Sequence, residues 1–133
     1  MTSVRLRTVG EGPLGVGWAG PRTLTFDRPA DGGGRGLGFN GGELLLLAVG
    51  ACCSNDLFRE AAKLGITLRS VEIEVTAEWG GDPARAQSIS YRPLIDADAS
   101  PEQIRQLLEH TDRVAEIPNS LRHGAEVRLV QDG

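Results

Sequence analysis

Lysine is almost missing from this chain of 133 residues: Lys63 stands alone beside thirteen arginines. Arginine keeps its proton in proteins, so any Schiff-base chemistry would rest on Lys63. Cysteine is as scarce, and its two copies, Cys52 and Cys53, are neighbours. Adjacent Cα atoms lie about 3.8 Å apart, against about 5.5 Å across a usual disulfide. That excludes an internal disulfide framework, and free thiols point to a reducing, cytoplasmic setting. An excess of positive charge is absent: the net charge is -4, which argues against a nucleic-acid partner. The longest strongly apolar run without a charge, residues 44–53, is ten residues, shorter than a bilayer span. Residues 1–9 carry Arg5 and Arg7 but no apolar stretch of the secretory kind. No membrane partner is expected. His110 and His123 are the only histidines, and no HxxxH, CxxC or GxSxG string occurs. Neither a metal nor another cofactor is therefore expected, although a Cys–His zinc site using Cys52 or Cys53 stays open.

What is present suits one soluble domain over residues 1–133. Hydrophobic residues make up 40% and charged ones 24%, enough for a real core at this length. Twelve of the 18 glycines precede residue 43, so the chain should be loop-rich first and regular afterwards. Residues 4–9 and 23–27 read as short strands. The string PADGGGRGLGFNGG, residues 29–42, is neither a dinucleotide fingerprint nor a Walker motif and reads as a mobile loop. Asn40 with Glu43 three positions on is an N-cap pattern, opening a helix over residues 41–64 that Gly65 closes. Its first half, residues 44–49, is apolar all round and should be buried on every side. So small a chain wraps such a helix with difficulty, which hints at a second subunit.

Residues 71–79 alternate cleanly. Val71, Ile73, Val75, Ala77 and Trp79 share one face, and Glu72, Glu74 and Glu78 lie on the other, as on a solvated sheet. The turn Gly80-Gly81-Asp82-Pro83 leads to a returning strand over residues 88–96, in which Pro93 suggests an edge or a bulge. Ser100-Pro101-Glu102-Gln103 is a capping box for a helix reaching about Glu116, which Pro118 stops. Residues 125–130 read as a last strand. The order β, β, long α, β, β, α, β describes an α+β domain with an antiparallel sheet.

Cys52 is the residue with most chemical interest. Buried cysteine is often only a small hydrophobe, but this one sits where an apolar helix face turns polar, sharing a face with Asn55 and Asp56. A reactive thiol needs a lowered pKa. Cys52 lies about three turns into the helix, beyond reach of the dipole, so an arginine would have to act, and Arg22, Arg28 and Arg35 are on offer. Glu43 could hold such an arginine or serve only as a cap. Nine residues at about 100° each put Glu43 and Cys52 on opposite sides of the helix, roughly 13 Å apart along its axis.

The segment GGELLLLAVGACCSNDLFREAAKLGI resembles the central helix of the OsmC-like family, which includes osmotically inducible and organic hydroperoxide resistance proteins. Gly50-Ala51-Cys52 matches its small-small-Cys motif, and VEIEVTAEW and TDRVAEIPNSLRHGAEV are similar to later parts of the pattern, over about residues 20–130. The resemblance implies antiparallel sheets around a long buried central helix, an intertwined homodimer, and an active site at the dimer interface. It implies Cys52 as the peroxidatic thiol, Arg22 as the cation that lowers its pKa, and Glu43 as the carboxylate holding that arginine. It further implies a hydroperoxide substrate. The family's second cysteine falls on Ala115, so an external thiol would have to act as reductant, or Cys53 after local distortion. The family's catalytic Glu aligns better with Gly42, one position from Glu43. Two functions follow: reduction of organic hydroperoxides by a single reactive cysteine, or a non-catalytic, stress-associated or ligand-binding dimer of the same fold.

Overall fold

The structure, a computed structural model, describes residues 1–131. The chain forms two compact units, Met1–Leu45 and the remainder from Leu46 onward.

The first unit is a meander of β1 (Arg5–Thr8), β2 (Gly15–Ala19) and β3 (Arg22–Phe26), paired antiparallel in that order. Strand β2 is not expected from the sequence, because its inward residues are Gly15 and Gly17 rather than apolar side chains. Glycine is required at Gly15: a Cβ there would lie 2.2 Å from the Phe26 ring and 2.6 Å from the Arg7 carbonyl oxygen. The segment after β3 is not the loose loop its composition suggests. Asp27 accepts hydrogen bonds from the backbone N–H groups of Arg28 (2.8 Å), Arg35 (3.1 Å) and Leu37 (3.2 Å). Burial pushes this carboxyl up, but the three donors outweigh it and bring it below the usual range. A short 3-10 turn, Ala30–Gly32, lies inside the loop. Phe39 then bonds back to the end of β3, accepting from Asp27 N–H at 3.0 Å.

Helix α1 (Gly41–Lys63) begins in this unit and continues into the second. Its start is a reciprocal capping box. Asn40 Oδ1 accepts from Glu43 N–H at 2.8 Å, and Glu43 Oε1 accepts from Asn40 N–H at 2.9 Å. At 23 residues the helix is as long as a bilayer span, but Asp56, Arg59, Glu60 and Lys63 charge its second half.

The second unit pairs β4 (Leu68–Gly80) with β5 (Arg85–Ala97) in a long antiparallel hairpin. One face alternates as expected at Val71, Ile73, Val75 and Ala77. The pairing shifts register between Glu78 and Trp79, and this turns Trp79 outward, so it is exposed rather than inward. Pro93 sits within a strand of a two-stranded sheet, where an edge is always available. Leu57, Ala61 and Ile66 join Leu107 in a core that also takes in Leu68, Val71, Ile73 and Ile95. A second cluster, Val49, Cys53 and Ala115, packs with Ile73, Val75, Ile89 and Tyr91.

Helix α2 (Pro101–Val114) starts on the Ser100–Gln103 capping box. It ends two residues earlier than expected, and a separate α3 (Glu116–Arg122) follows a one-residue break at Ala115. Pro118 does not stop a helix here; it lies in the first turn of α3, where its missing N–H has no intrahelical acceptor to lose. Residues 125–131 form no strand. They are exposed, Val127 at 94%, and among the described residues no strand pairs with them. The first half of α1 also departs from expectation: within this chain Leu47 and Ala48 are exposed and Leu44, Leu45 and Leu46 half-buried, and burial is concentrated at Val49, Cys53, Asp56, Leu57, Glu60 and Ala61.

Candidate active site

The second unit gathers a polar cluster around Cys52, on a helix whose other face is core. Cys52 is half-buried, whereas its neighbour Cys53 is 1% exposed. One helical turn on from Cys52, Asp56 presents Oδ2 at 3.7 Å from the sulfur, which donates its hydrogen toward it. On another side the backbone N–H of Ile117, in α3, donates to the same sulfur at 3.4 Å. The thiol therefore has an acceptor for its hydrogen and a donor for its lone pair.

Asp56 is 7% exposed and does not sit there alone. Its Oδ1 pairs with Arg59 Nη1 at 3.1 Å. Arg59 Nε also donates to Glu60 Oε2 at 3.2 Å. Glu60, itself buried, binds Lys63 Nζ at 2.9 Å and His110 Nε2 of α2 at 2.7 Å. The Lys63 and His110 contacts overcome burial and hold the Glu60 carboxyl at about 2. A line of charge thus runs down α1 from Cys52 to the α1–α2 contact. Asp56 was legible from its spacing to Cys52, while Asn55 is exposed. Arg59, three residues from Asp56, is the cation that sequence reasoning overlooked; its spacing was the available signal. The Ile117 contact spans 65 residues of sequence and left none.

Cys53 has a different setting. Burial pushes its thiol above its usual range. Tyr91, packed against the same cluster, donates its hydroxyl hydrogen to Asp112 Oδ1, and burial followed by that bond raises the phenol. Asp112 also accepts from Arg122 Nη2 at 2.7 Å. Burial raises its carboxyl, but Tyr91 and Arg122 together bring it below the ordinary value. Cys53 is thus a sealed thiol beside a closed polar chain.

The remaining sequence candidates lie in the first unit. Arg22 is exposed, pairs with Ala19 in the β2–β3 ladder, and forms no salt bridge among the described residues. It lines an apolar groove of about 340 Å³ with Val4, Leu6, Trp18, Leu24 and Leu44. Arg28 Nε donates to the Gly32 carbonyl at 2.6 Å. Arg35 is exposed and near Asp27. Glu43 has one carboxylate oxygen engaged in its cap. Lys63 is committed to Glu60, and His123 Nδ1 lies 2.8 Å from the Asn119 carbonyl. Among the described residues no group of three or more His, Cys, Asp or Glu is placed to hold a metal ion.

Against known proteins, a sequence profile of the OsmC-like protein family matches residues 32–130. The chain belongs to the OsmC-like family. No curated protein matches it. Among solved structures it is similar to an OsmC-like protein from Mycoplasma pneumoniae, with a TM-score of 0.81 at 18% identity over 94% of this chain and 89% of that one. It is also similar to the organic hydroperoxide resistance protein OsmC of Legionella pneumophila (TM-score 0.67, 17% identity, 92% and 89% covered). A third is the organic hydroperoxide resistance protein OhrB of Bacillus subtilis (0.62, 18%, 93% and 92%). At these identities the likeness speaks for the fold: α+β, with two antiparallel sheets and three helices. In this OsmC-like chain Ala115, the position read as the family's second cysteine, is fully buried and packs in one cluster with Cys53 and the half-buried Cys52.

Proposed function

We propose that this OsmC-like protein reduces organic hydroperoxides through the single thiol of Cys52, with an external thiol as reductant. The observation that carries the reading is the contrast between the two cysteines. Cys52 is accessible and has a proton acceptor and an N–H donor at its sulfur, whereas Cys53 is sealed in the core. In the first step the Cys52 sulfur attacks the terminal oxygen of the hydroperoxide. An S–O bond forms, the O–O bond breaks, and the alcohol leaves, giving a sulfenic acid. Ala115 carries no thiol to resolve it. Two external thiols therefore return Cys52 to the thiol, yielding their disulfide and water. This step suits the cytosol, where small thiols are kept reduced.

The proposal includes a homodimer. It is supported by the exposed Leu47 and Phe58 of α1, by the exposed Leu64 that follows it and by the apolar first-unit groove, surface of a kind that marks contact sites. A second copy would give α1 its central, buried place, and Arg22 and Glu43 the roles the family resemblance implies. The protein should sediment as a dimer at micromolar concentration; a monomer would sink this part.

The chemical test is a brief pulse of cumene hydroperoxide in the presence of a sulfenic-acid trap, read by intact mass and peptide mapping. Trapped adduct at Cys52, absent in Cys52→Ser, is expected. An unmodified Cys52 at excess hydroperoxide would remove the enzymatic reading. It would leave the alternative, a non-catalytic ligand-binding dimer of the same fold, which the alanine at position 115 favours.

A further inference from the structure

We infer that Asp56 is the proton carrier of Cys52, taking the thiol hydrogen before attack on the hydroperoxide and returning it to the departing alkoxide. The inference rests on the peroxidatic reading of Cys52 above and adds a group to it. Four observations support it. The Asp56 Oδ2 atom is 3.7 Å from the sulfur and receives its hydrogen. The carboxylate is 7% exposed, so protein groups rather than bulk water surround it. Arg59, pairing with Oδ1 at 3.1 Å, gives the buried charge a partner and leaves Oδ2 for the thiol. Arg59 is held in turn by Glu60, which Lys63 and His110 fix. The position of Oδ2 is therefore set by a chain of four further side chains.

The reaction balances through this group. The Sγ–H proton passes to Oδ2. The sulfur electron pair forms the S–O bond as the O–O bond breaks, so sulfur is oxidised by two electrons and the peroxide is reduced. The alkoxide takes the proton from Oδ2 and leaves as the alcohol. Asp56 ends as it began, a carboxylate, and Cys52 is a sulfenic acid.

The role has a distinct signature, because the two reactions of Cys52 use the carboxylate differently. Alkylation by iodoacetamide expels iodide, which leaves without a proton, whereas reduction of the hydroperoxide expels an alkoxide that needs one. Removing the Asp56 carboxylate should therefore slow oxidation far more than alkylation. A merely structural role would move both rates together.

The test uses the full-length protein as wild type, Asp56→Asn and Asp56→Glu at neutral pH. The rate of alkylation by iodoacetamide and the rate of sulfenic-acid formation with cumene hydroperoxide are both read at the Cys52 peptide. In Asp56→Asn, alkylation should change by less than about threefold. Oxidation should fall by roughly a hundredfold, the low end for a positioned acid–base group. Asp56→Glu should recover part of the oxidation rate. If wild type is oxidised and both rates in Asp56→Asn fall together or stay put, Asp56 is no proton carrier and the peroxidatic reading survives. If wild-type Cys52 does not react with the hydroperoxide, the peroxidatic reading fails and the proton-carrier role falls with it.

Discussion

The two sheets of this protein solve the same problem with different materials. The β4–β5 hairpin presents Val71, Ile73 and Ile95 to Leu57, Ala61 and Leu107, and Val75 to Val49 and Cys53, so its inner face is made of branched and large apolar side chains. The β1–β3 meander buries Gly15 and Gly17 of β2 instead, and leaves Val4, Leu6 and Leu24 exposed. One sheet is stabilised by what its side chains remove from water, the other by how closely its backbones and the Phe26 ring approach. The first device writes an alternating pattern into the sequence. The second writes glycine, which is also what a loop contains.

The contrast should appear most strongly in Leu57→Ala. This fully buried side chain should cost about 2–5 kcal/mol on truncation, whereas Leu24→Ala in the open sheet should cost less than about 1 kcal/mol. Urea unfolding of both variants checks it, and equal losses would break the comparison. Next in size is Gly15→Ala, whose new methyl meets the Arg7 carbonyl and the Phe26 ring; about 1–3 kcal/mol should be lost. At Gly17 the nearest atom to an added Cβ is 3.5 Å away, so Gly17→Ala should be much milder by the same assay.

The third prediction concerns acidity and belongs to the second unit. Glu60 titrates at about 2 in the folded chain, against an ordinary value of 4.5. A lowered folded value means stability that is fully present above about 4.5 and is lost as pH falls toward about 2. The Tm deficit of Glu60→Gln should accordingly be largest near neutrality and shrink across that window. A deficit independent of pH would show that the charge on Glu60 is not what holds α1 to α2. The smallest effects should come from the two capping boxes. Asn40→Ala and Ser100→Ala should each cost about 1 kcal/mol, one at the helix that starts in the first unit and one in the second. Matched losses would show that helix starts obey one rule where sheets do not.

Helix α1 was legible to within one residue at its end because caps and apolar periodicity agree there, and the Ser100–Gln103 box marked the start of α2 in the same way. Strand β2 was hidden by its glycines. The α2–α3 break was hidden because Pro118 looks like a stop whether it ends one helix or sits in the first turn of the next. Residues 125–130 alternate like a strand, but pairing is a property of two segments, and among the described residues none pairs with them. The same division runs through the candidate site. Cys52 and Asp56 share a helix face, so spacing reveals them. Ile117 reaches the sulfur through its backbone, which no side-chain pattern encodes.

Asp27 carries a consequence of another kind. Its one carboxylate receives the N–H groups of residues 28, 35 and 37, so a single protonation loosens three ties at once. In acid the segment they close should therefore act as a latch with one catch, its three ties weakening together as Asp27 takes its proton.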